Sequence, residues 1–262
     1  MIGFIGVGNM AGAILSGVLK SGKLTESNVG LYDAFLPQCE KFPEARVYAS
    51  ARELVEGERI VFFSVKPQVL PDVLKELSGV DVTGKIFVSI CAAVATSYVQ
   101  KALPGAHVVR AMPNTPMLYG KGVCALSKSE NVTEAEFFEI CELFRVLGEV
   151  AVLDESLQNA VIAVTGSSPA YLFALADAMA SAAEKSGFSY EESVRWIASV
   201  FEGAASMLRE SKKSPKELCE MVCSPGGTTL EAMRVFEEAR FSDTVERAMA
   251  ACTLRAKVLQ KD

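Results

Sequence analysis

Ser224-Pro225-Gly226-Gly227-Thr228-Thr229 gathers hydroxyls and backbone amides into six residues. Proline before two glycines turns the chain sharply, and Thr229-Leu230-Glu231-Ala232-Met233 reads as a helix opening with threonine near the capping position. Free amides at a helix start seat an anion. The turn holds no acid, base or metal ligand, so it predicts a place where a substrate is held for another agent.

That agent is expected at the other end of the chain. The apolar strand Ile2-Gly3-Phe4-Ile5 runs into Gly6-Val7-Gly8-Asn9-Met10-Ala11 and then a helical pattern through Ile14, Leu15, Val18 and Leu19. This is G-x-G-x-x-A between strand and helix, the context of a dinucleotide fingerprint. Gly6 permits the tight turn, Gly8 lets backbone approach a pyrophosphate, and Ala11 allows close helix–strand packing. Glycines also simply turn chains; position and flanks favour the dinucleotide. Asp33 ends the next strand, Val29-Gly30-Leu31-Tyr32, 22 residues beyond Ala11. An acid there accepts hydrogen bonds from a ribose 2′-hydroxyl and repels a 2′-phosphate; the alternative is an exposed loop acid.

The elements that carry these residues alternate. Ile60 to Val65 and Ile86 to Ile90 are apolar on both faces, as in central parallel strands, and end in Lys66-Pro67-Gln68 and Cys91-Ala92-Ala93. Strands with helices between them predict an α/β fold with a doubly wound sheet, whose ligands lie beyond the strands' carboxyl ends. At Val108 to Met112 and Gly122 to Leu126 the rhythm breaks, with no helix between, which predicts an antiparallel addition. Thr133 and Glu136 form a capping box for a helix ending near Leu147, and Val150 to Leu153 is a last strand. The boundary falls there: 1–153 as the nucleotide-binding domain, 154–262 as helices at about 154–164, 169–187, 190–211, 215–223, 229–238 and 242–260. Between Ser167 and Glu184 the only charge is Asp177. The stretch is too weakly apolar for a convincing membrane span. A helix apolar nearly all round should be buried on all sides, which predicts packing against a second copy in an obligate dimer.

Other classes are excluded. His107 is the only histidine, at a strand start, so a histidine-ligated metal or a Ser-His hydrolase is unexpected. Seven cysteines without a C-x-x-C read as reduced and buried, with no disulfide framework or zinc site. Net charge is −6 and no basic patch occurs, so no nucleic acid is expected. No basic n-region precedes the first strand, so a cytoplasmic protein is expected.

The run from Pro215 to Met233, with Val65-Lys66-Pro67-Gln68, Val109 to Pro116 and Ser168-Pro169-Ala170-Tyr171 in order, resembles the signature of the pyrroline-5-carboxylate reductases over the whole chain. The resemblance implies an N-terminal Rossmann domain and a helical domain through which subunits pair, sometimes into decamers. It implies hydride transfer from NADPH or NADH to the C5=N bond of L-1-pyrroline-5-carboxylate, giving L-proline in the last step of proline synthesis. By position, amides of Gly226, Gly227 and Thr228, with Ser224, would hold the substrate carboxylate, and the Thr229 hydroxyl would lie by the ring nitrogen as the catalytic contact. Ile5, Gly6, Val7, Gly8, Asn9, Met10, Asp33, Ser64, Val65, Lys66, Pro67, Cys91, Ala92 and Ala93 would line the cofactor. Asp33 departs from the neutral or basic loop of many relatives and leans the chain toward NADH or dual use. Ser168 replaces a common glycine, and Ala51 an asparagine of some relatives. The rivals are a β-hydroxyacid dehydrogenase, which would use a lysine absent from Asp154 to Val161, another imino acid reductase, and a dinucleotide sensor, which would not need the turn at Ser224.

Overall fold

Eight strands form one sheet in the order β3-β2-β1-β4-β5-β6-β7-β8. They are β1 Ile2–Ile5, β2 Val29–Tyr32, β3 Arg46–Val47, β4 Ile60–Phe63, β5 Ile86–Ser89, β6 His107–Met112, β7 Gly122–Lys128 and β8 Gly148–Val152. The computed structural model describes residues 1–261. Strands β1 to β6 pair parallel; β7 runs antiparallel to β6, with only the short 3₁₀ turn Thr115–Tyr119 between them, and β8 parallel to β7. The expected doubly wound sheet with an antiparallel addition is therefore present.

Helices α1 Asn9–Lys20, α2 Ala51–Gly57, α3 Leu70–Glu76, α4 Thr96–Ala102 and α5 Glu134–Arg145 cover the sheet. Successive residues of a strand point to opposite faces, so adjacent phenylalanines serve different cores. Phe62 stacks on Phe4 at 4.5 Å beneath α1 and α5, while Phe63 stacks on Phe87 at 5.4 Å on the other face. Each fully buried ring contributes about 1.5–3 kcal/mol. Thr133 and Glu136 close the predicted capping box on α5.

The chain divides into two compact units, Met1–Pro169 with the residues from Ala251, and Ala170–Ala250. The division falls later than the boundary read at Leu153 because the connecting helix packs on the sheet. Gln158 and Asn159 of α6, Gln158–Val161, are buried; Gln158 Nε2 donates to Ser127 Oγ at 2.9 Å and Arg110 to Asn159 Oδ1 at 2.7 Å. After α6 the chain widens to a π-turn over Ile162–Gly166, and Asn114 Nδ2 donates to the Thr165 carbonyl at 3.0 Å.

The second unit is built from α7 Ser168–Glu184, α8 Tyr190–Glu210, α9 Pro215–Val222, α10 Thr228–Glu238 and the start of α11 Phe241–Leu259, close to the helices read from sequence. Only Ala180, Ser193, Ile197 and Leu218 are buried within it. The apolar helix expected to be enclosed lies largely exposed within one chain, Phe173 at 67%. The stretch Glu155–Glu184 is long and apolar enough by composition to cross a membrane; inside it Asp177 accepts the Tyr190 hydroxyl at 2.8 Å.

Candidate active site

The glycine turn sits at the carboxyl end of β1. Gly6 adopts φ +92°, and a Cβ there would lie 2.9 Å from the Ser64 backbone, so only glycine fits. Its amide donates to the Tyr32 carbonyl at 2.8 Å, and Ser64 Oγ lies 2.7 Å from the Gly6 carbonyl, to which it donates. Ile5 and Val7 are buried, Met10 half-buried and Asn9 exposed. A Cβ on Gly8 would meet nothing within 4 Å. Gly8 is the N-cap of α1, no side chain caps that helix, and no acid stands in its first turn. Open space beside uncapped amides is what a dinucleotide phosphate requires, so these residues fit the group.

Asp33 is spent on the backbone: Oδ2 accepts from the Val7 amide at 2.6 Å and Oδ1 from Phe35 at 2.9 Å. Ala34 and Phe35 beside it are exposed and uncharged. Past β4, Lys66 is exposed and Val65 and Pro67 half-buried. Past β5, Cys91 and Ala93 are buried and Ala92 is exposed. Burial pushes the Cys91 thiol up to about 12, and Sγ lies 3.2 Å from the Val65 carbonyl, so it acts as a neutral clamp between the two loops. The first unit thus brings the glycine turn, Asp33, Ser64 to Pro67 and Cys91 to Ala93 to one end of the sheet.

The turn at Ser224 belongs to the second unit. Gly226 adopts φ +71°, and the Gly227 amide donates to the Ser224 carbonyl at 2.9 Å. That amide is therefore closed within the turn, unlike the free donor read from sequence. Gly227, not threonine, is the N-cap of α10, and no side chain caps the helix. The first-turn amides of α10 have no intrahelical partner, and Glu231 is the acid of that turn. Thr229 is half-buried in that turn.

Sequence reasoning missed a buried polar cluster. Arg110, 4% exposed, reaches Glu155 at 3.5 Å, and the Glu155 carboxylate accepts both the amide and the hydroxyl of Thr96, at 2.8 and 2.6 Å. Glu155 so caps α4, whose N-cap residue is Ala95. A lone arginine inside Val108 to Met112 was the available signal.

A dinucleotide cradle on a mainly parallel sheet, with a helical unit that buries few of its own residues, defines a Rossmann-type dinucleotide-binding protein. Residues 155–259 match the family model for pyrroline-5-carboxylate reductase dimerisation, and residues 1–93 that for NADP oxidoreductase, coenzyme F420-dependent. The chain is 36% identical over 265 residues to pyrroline-5-carboxylate reductase of Escherichia coli (strain K12), covering 99% of this chain and 98% of that one. The solved pyrroline-5-carboxylate reductase of Coxiella burnetii is 30% identical with a TM-score of 0.89, covering 100% and 98%. The Plasmodium falciparum pyrroline carboxylate reductase with NADP bound, 24% identical, shares the fold at a TM-score of 0.92, covering 99% and 98%. The chain belongs to the pyrroline-5-carboxylate reductase family.

Proposed function

We propose that this chain reduces L-1-pyrroline-5-carboxylate to L-proline with NADH or NADPH, as the last step of proline synthesis. The observation that carries this reading is the uncapped start of α10 behind Gly226 and Gly227, where residues 224–229 offer hydroxyls and backbone amides and no acid, base or metal ligand; Glu231, the acid of the first helical turn, is paired with Arg234 at 3.1 Å.

When bound, the reduced nicotinamide supplies the hydride for C5 of the substrate. The protonated imine is already electrophilic, so the protein positions and stabilises rather than activates. First-turn amides of α10, with Gly226, Thr228 and Ser224, take the carboxylate; Gly227 shapes the turn by its own bond to Ser224. The Thr229 hydroxyl hydrogen-bonds the ring nitrogen as its positive charge disappears and its proton is retained in the secondary amine. The uncapped α1 amides and Gly8 receive the pyrophosphate, with Val7, Asn9, Met10, Ser64 to Pro67 and Cys91 to Ala93 around the remainder.

Asp33 brings negative charge to the end of β2, with no cation at Ala34 or Phe35, which favours NADH or dual use over strict NADPH dependence. The working unit is a homodimer, in which the bare faces of α7 and α8 are covered, with a decamer as the higher assembly, in the cytoplasm. Oxidation of NADH or NADPH with pyrroline-5-carboxylate, run against a panel of 2-oxo acids, tests the reading. Turnover restricted to 2-oxo acids, or dinucleotide binding without turnover, overturns it.

A further inference from the structure

The loops after β4 and β5 are tied together by a residue that lies beyond the last helix. Lys261 forms a one-residue parallel bridge with Val94: its amide donates to the Ala93 carbonyl at 2.9 Å, and its carbonyl accepts from Ala95 at 3.0 Å. Its Nζ crosses to the other loop and donates to the Pro67 carbonyl at 2.9 Å. The ammonium lies 5.9 Å from the Tyr98 ring centroid, within cation–π range. Ala93, whose carbonyl takes the Lys261 amide, is held at φ +57°, a conformation that alanine rarely adopts without external support.

The strap is itself anchored. Gln260 accepts from Asn159 Nδ2, and Asn159 Oδ1 accepts from buried Arg110 at 2.7 Å. Lys261 is therefore held at a fixed point of the first unit. Beside it, the segments are joined near the strand ends, by the Ile90 amide on the Phe63 carbonyl at 3.1 Å and by the Cys91 thiol, 3.5 and 3.2 Å from the Phe63 and Val65 carbonyls. β4 stops at Phe63 and β5 at Ser89, and past Ser64 and Ile90 the loops leave the ladder.

We propose that Lys261 is a positioning residue for the dinucleotide, setting the spacing of Ser64 to Pro67 against Cys91 to Ala93 through the Pro67 carbonyl. This rests on the reading of those loops as cofactor-binding. A preset loop pair binds its ligand without first being ordered, so loss of the tie should appear in cofactor affinity before anything else.

The test uses the full chain with Lys261→Met, which keeps the stem and removes the ammonium, and Lys261→Arg, which restores a cationic donor. NADH and NADPH dissociation constants come from cofactor fluorescence, alongside KM for pyrroline-5-carboxylate at saturating cofactor and Tm without cofactor. Expected is a rise of about 5- to 10-fold in the dinucleotide Kd with Lys261→Met, within the range of one lost hydrogen bond. KM for the imino acid and Tm stay near the parent, and Lys261→Arg recovers most of the affinity. An unchanged Kd, or equal losses for both substrates that track a fall in Tm, overturns the positioning role. Gly8→Glu serves as the control on the site. If that variant still binds dinucleotide as the parent does, the cofactor reading itself falls and takes the strap with it. If Gly8→Glu abolishes binding while Lys261→Met is silent, the strap alone is wrong.

Discussion

The Asp33 carboxylate holds the Val7 amide at 2.6 Å, joining the end of β2 to the glycine turn after β1. The same carboxylate holds the Phe35 amide. An acid in this position shapes the glycine turn itself. Asp33→Ala should therefore lower kcat/KM for NADH by about 10-fold or more, the range of a lost charged hydrogen bond, instead of simply converting the enzyme to NADPH. Ala34→Arg leaves both bonds intact and adds a cation, so it should raise the NADPH-to-NADH ratio of kcat/KM by about 10-fold. Steady-state kinetics with both cofactors checks the pair. Full NADH activity in Asp33→Ala would count against the pinning role.

The two fingerprint glycines should fail differently. Gly6→Ala places a methyl 2.9 Å from the Ser64 backbone at φ +92°. Left-handed strain and overpacking together should cost about 2–5 kcal/mol of stability. Gly8→Ala meets nothing in the chain, so its Tm should match the parent while its cofactor KM rises, because the methyl occupies space a pyrophosphate needs. Thermal melts and cofactor titrations separate the two.

What was legible in the sequence was what is local. The strand–glycine–helix succession, the capping box at Thr133 and Glu136, and the loss of helical spacing between β6 and β7 each lie within one short window. The outcomes that differed depend on partners distant in sequence or on backbone detail. Gly227 replaces threonine as the cap of α10, and its amide is closed onto Ser224, because Gly226, at φ +71°, lets the turn fold back on itself. Asp33 turned out to be occupied by amides 26 and 2 residues away. Lys261 reaches Pro67 across 194 residues, and no spacing rule encodes that contact. Packing of Gln158 and Asn159 moved the compact unit past Leu153 for the same reason.

Thr229 gives a clean separation of chemistry from folding. No side chain caps α10, so the Thr229 hydroxyl is not needed to start that helix. Thr229→Val keeps the shape and removes the oxygen. It should lose about 1–3 kcal/mol of transition-state stabilisation, roughly 5- to 150-fold in kcat/KM, with Tm unchanged. Retained kcat/KM would remove the contact to the ring nitrogen from the mechanism.

Glu58 supplies a pH dependence with a definite sign. Its side chain is buried, Oε1 accepts the Tyr48 hydroxyl at 2.9 Å, and Oε2 has no partner. Burial raises its pKa above the usual carboxylate range, against the opposing pull of Tyr48. A raised folded value means that the folded chain holds this proton more tightly than the unfolded chain. The contribution to stability is then full below the unfolded pKa of about 4.3 and is lost as pH rises through the folded one. Glu58→Gln removes the ionisation and keeps an oxygen for Tyr48. The variant should match the parent near pH 4 and gain in relative Tm toward pH 8. A difference that shrinks with rising pH would reverse the assignment.

The second unit buries little of its own apolar surface. Between residues 170 and 250 only Ala180, Ser193, Ile197 and Leu218 are buried, whereas Leu172, Phe173, Trp196, Val200 and Val235 stand at least 47% exposed. Covering each large apolar side chain is worth about 1.5–3 kcal/mol, so a second copy that covered several would decide whether these helices stay folded. Light scattering at micromolar concentration should give a mass of at least two chains. Phe173→Glu, on the bare face of α7, should shift that mass toward one chain and lower Tm, in a concentration-dependent way. A parent that scatters as a monomer with full helix content would mean that the unit needs no partner, and the exposed face of α7 would then require another occupant.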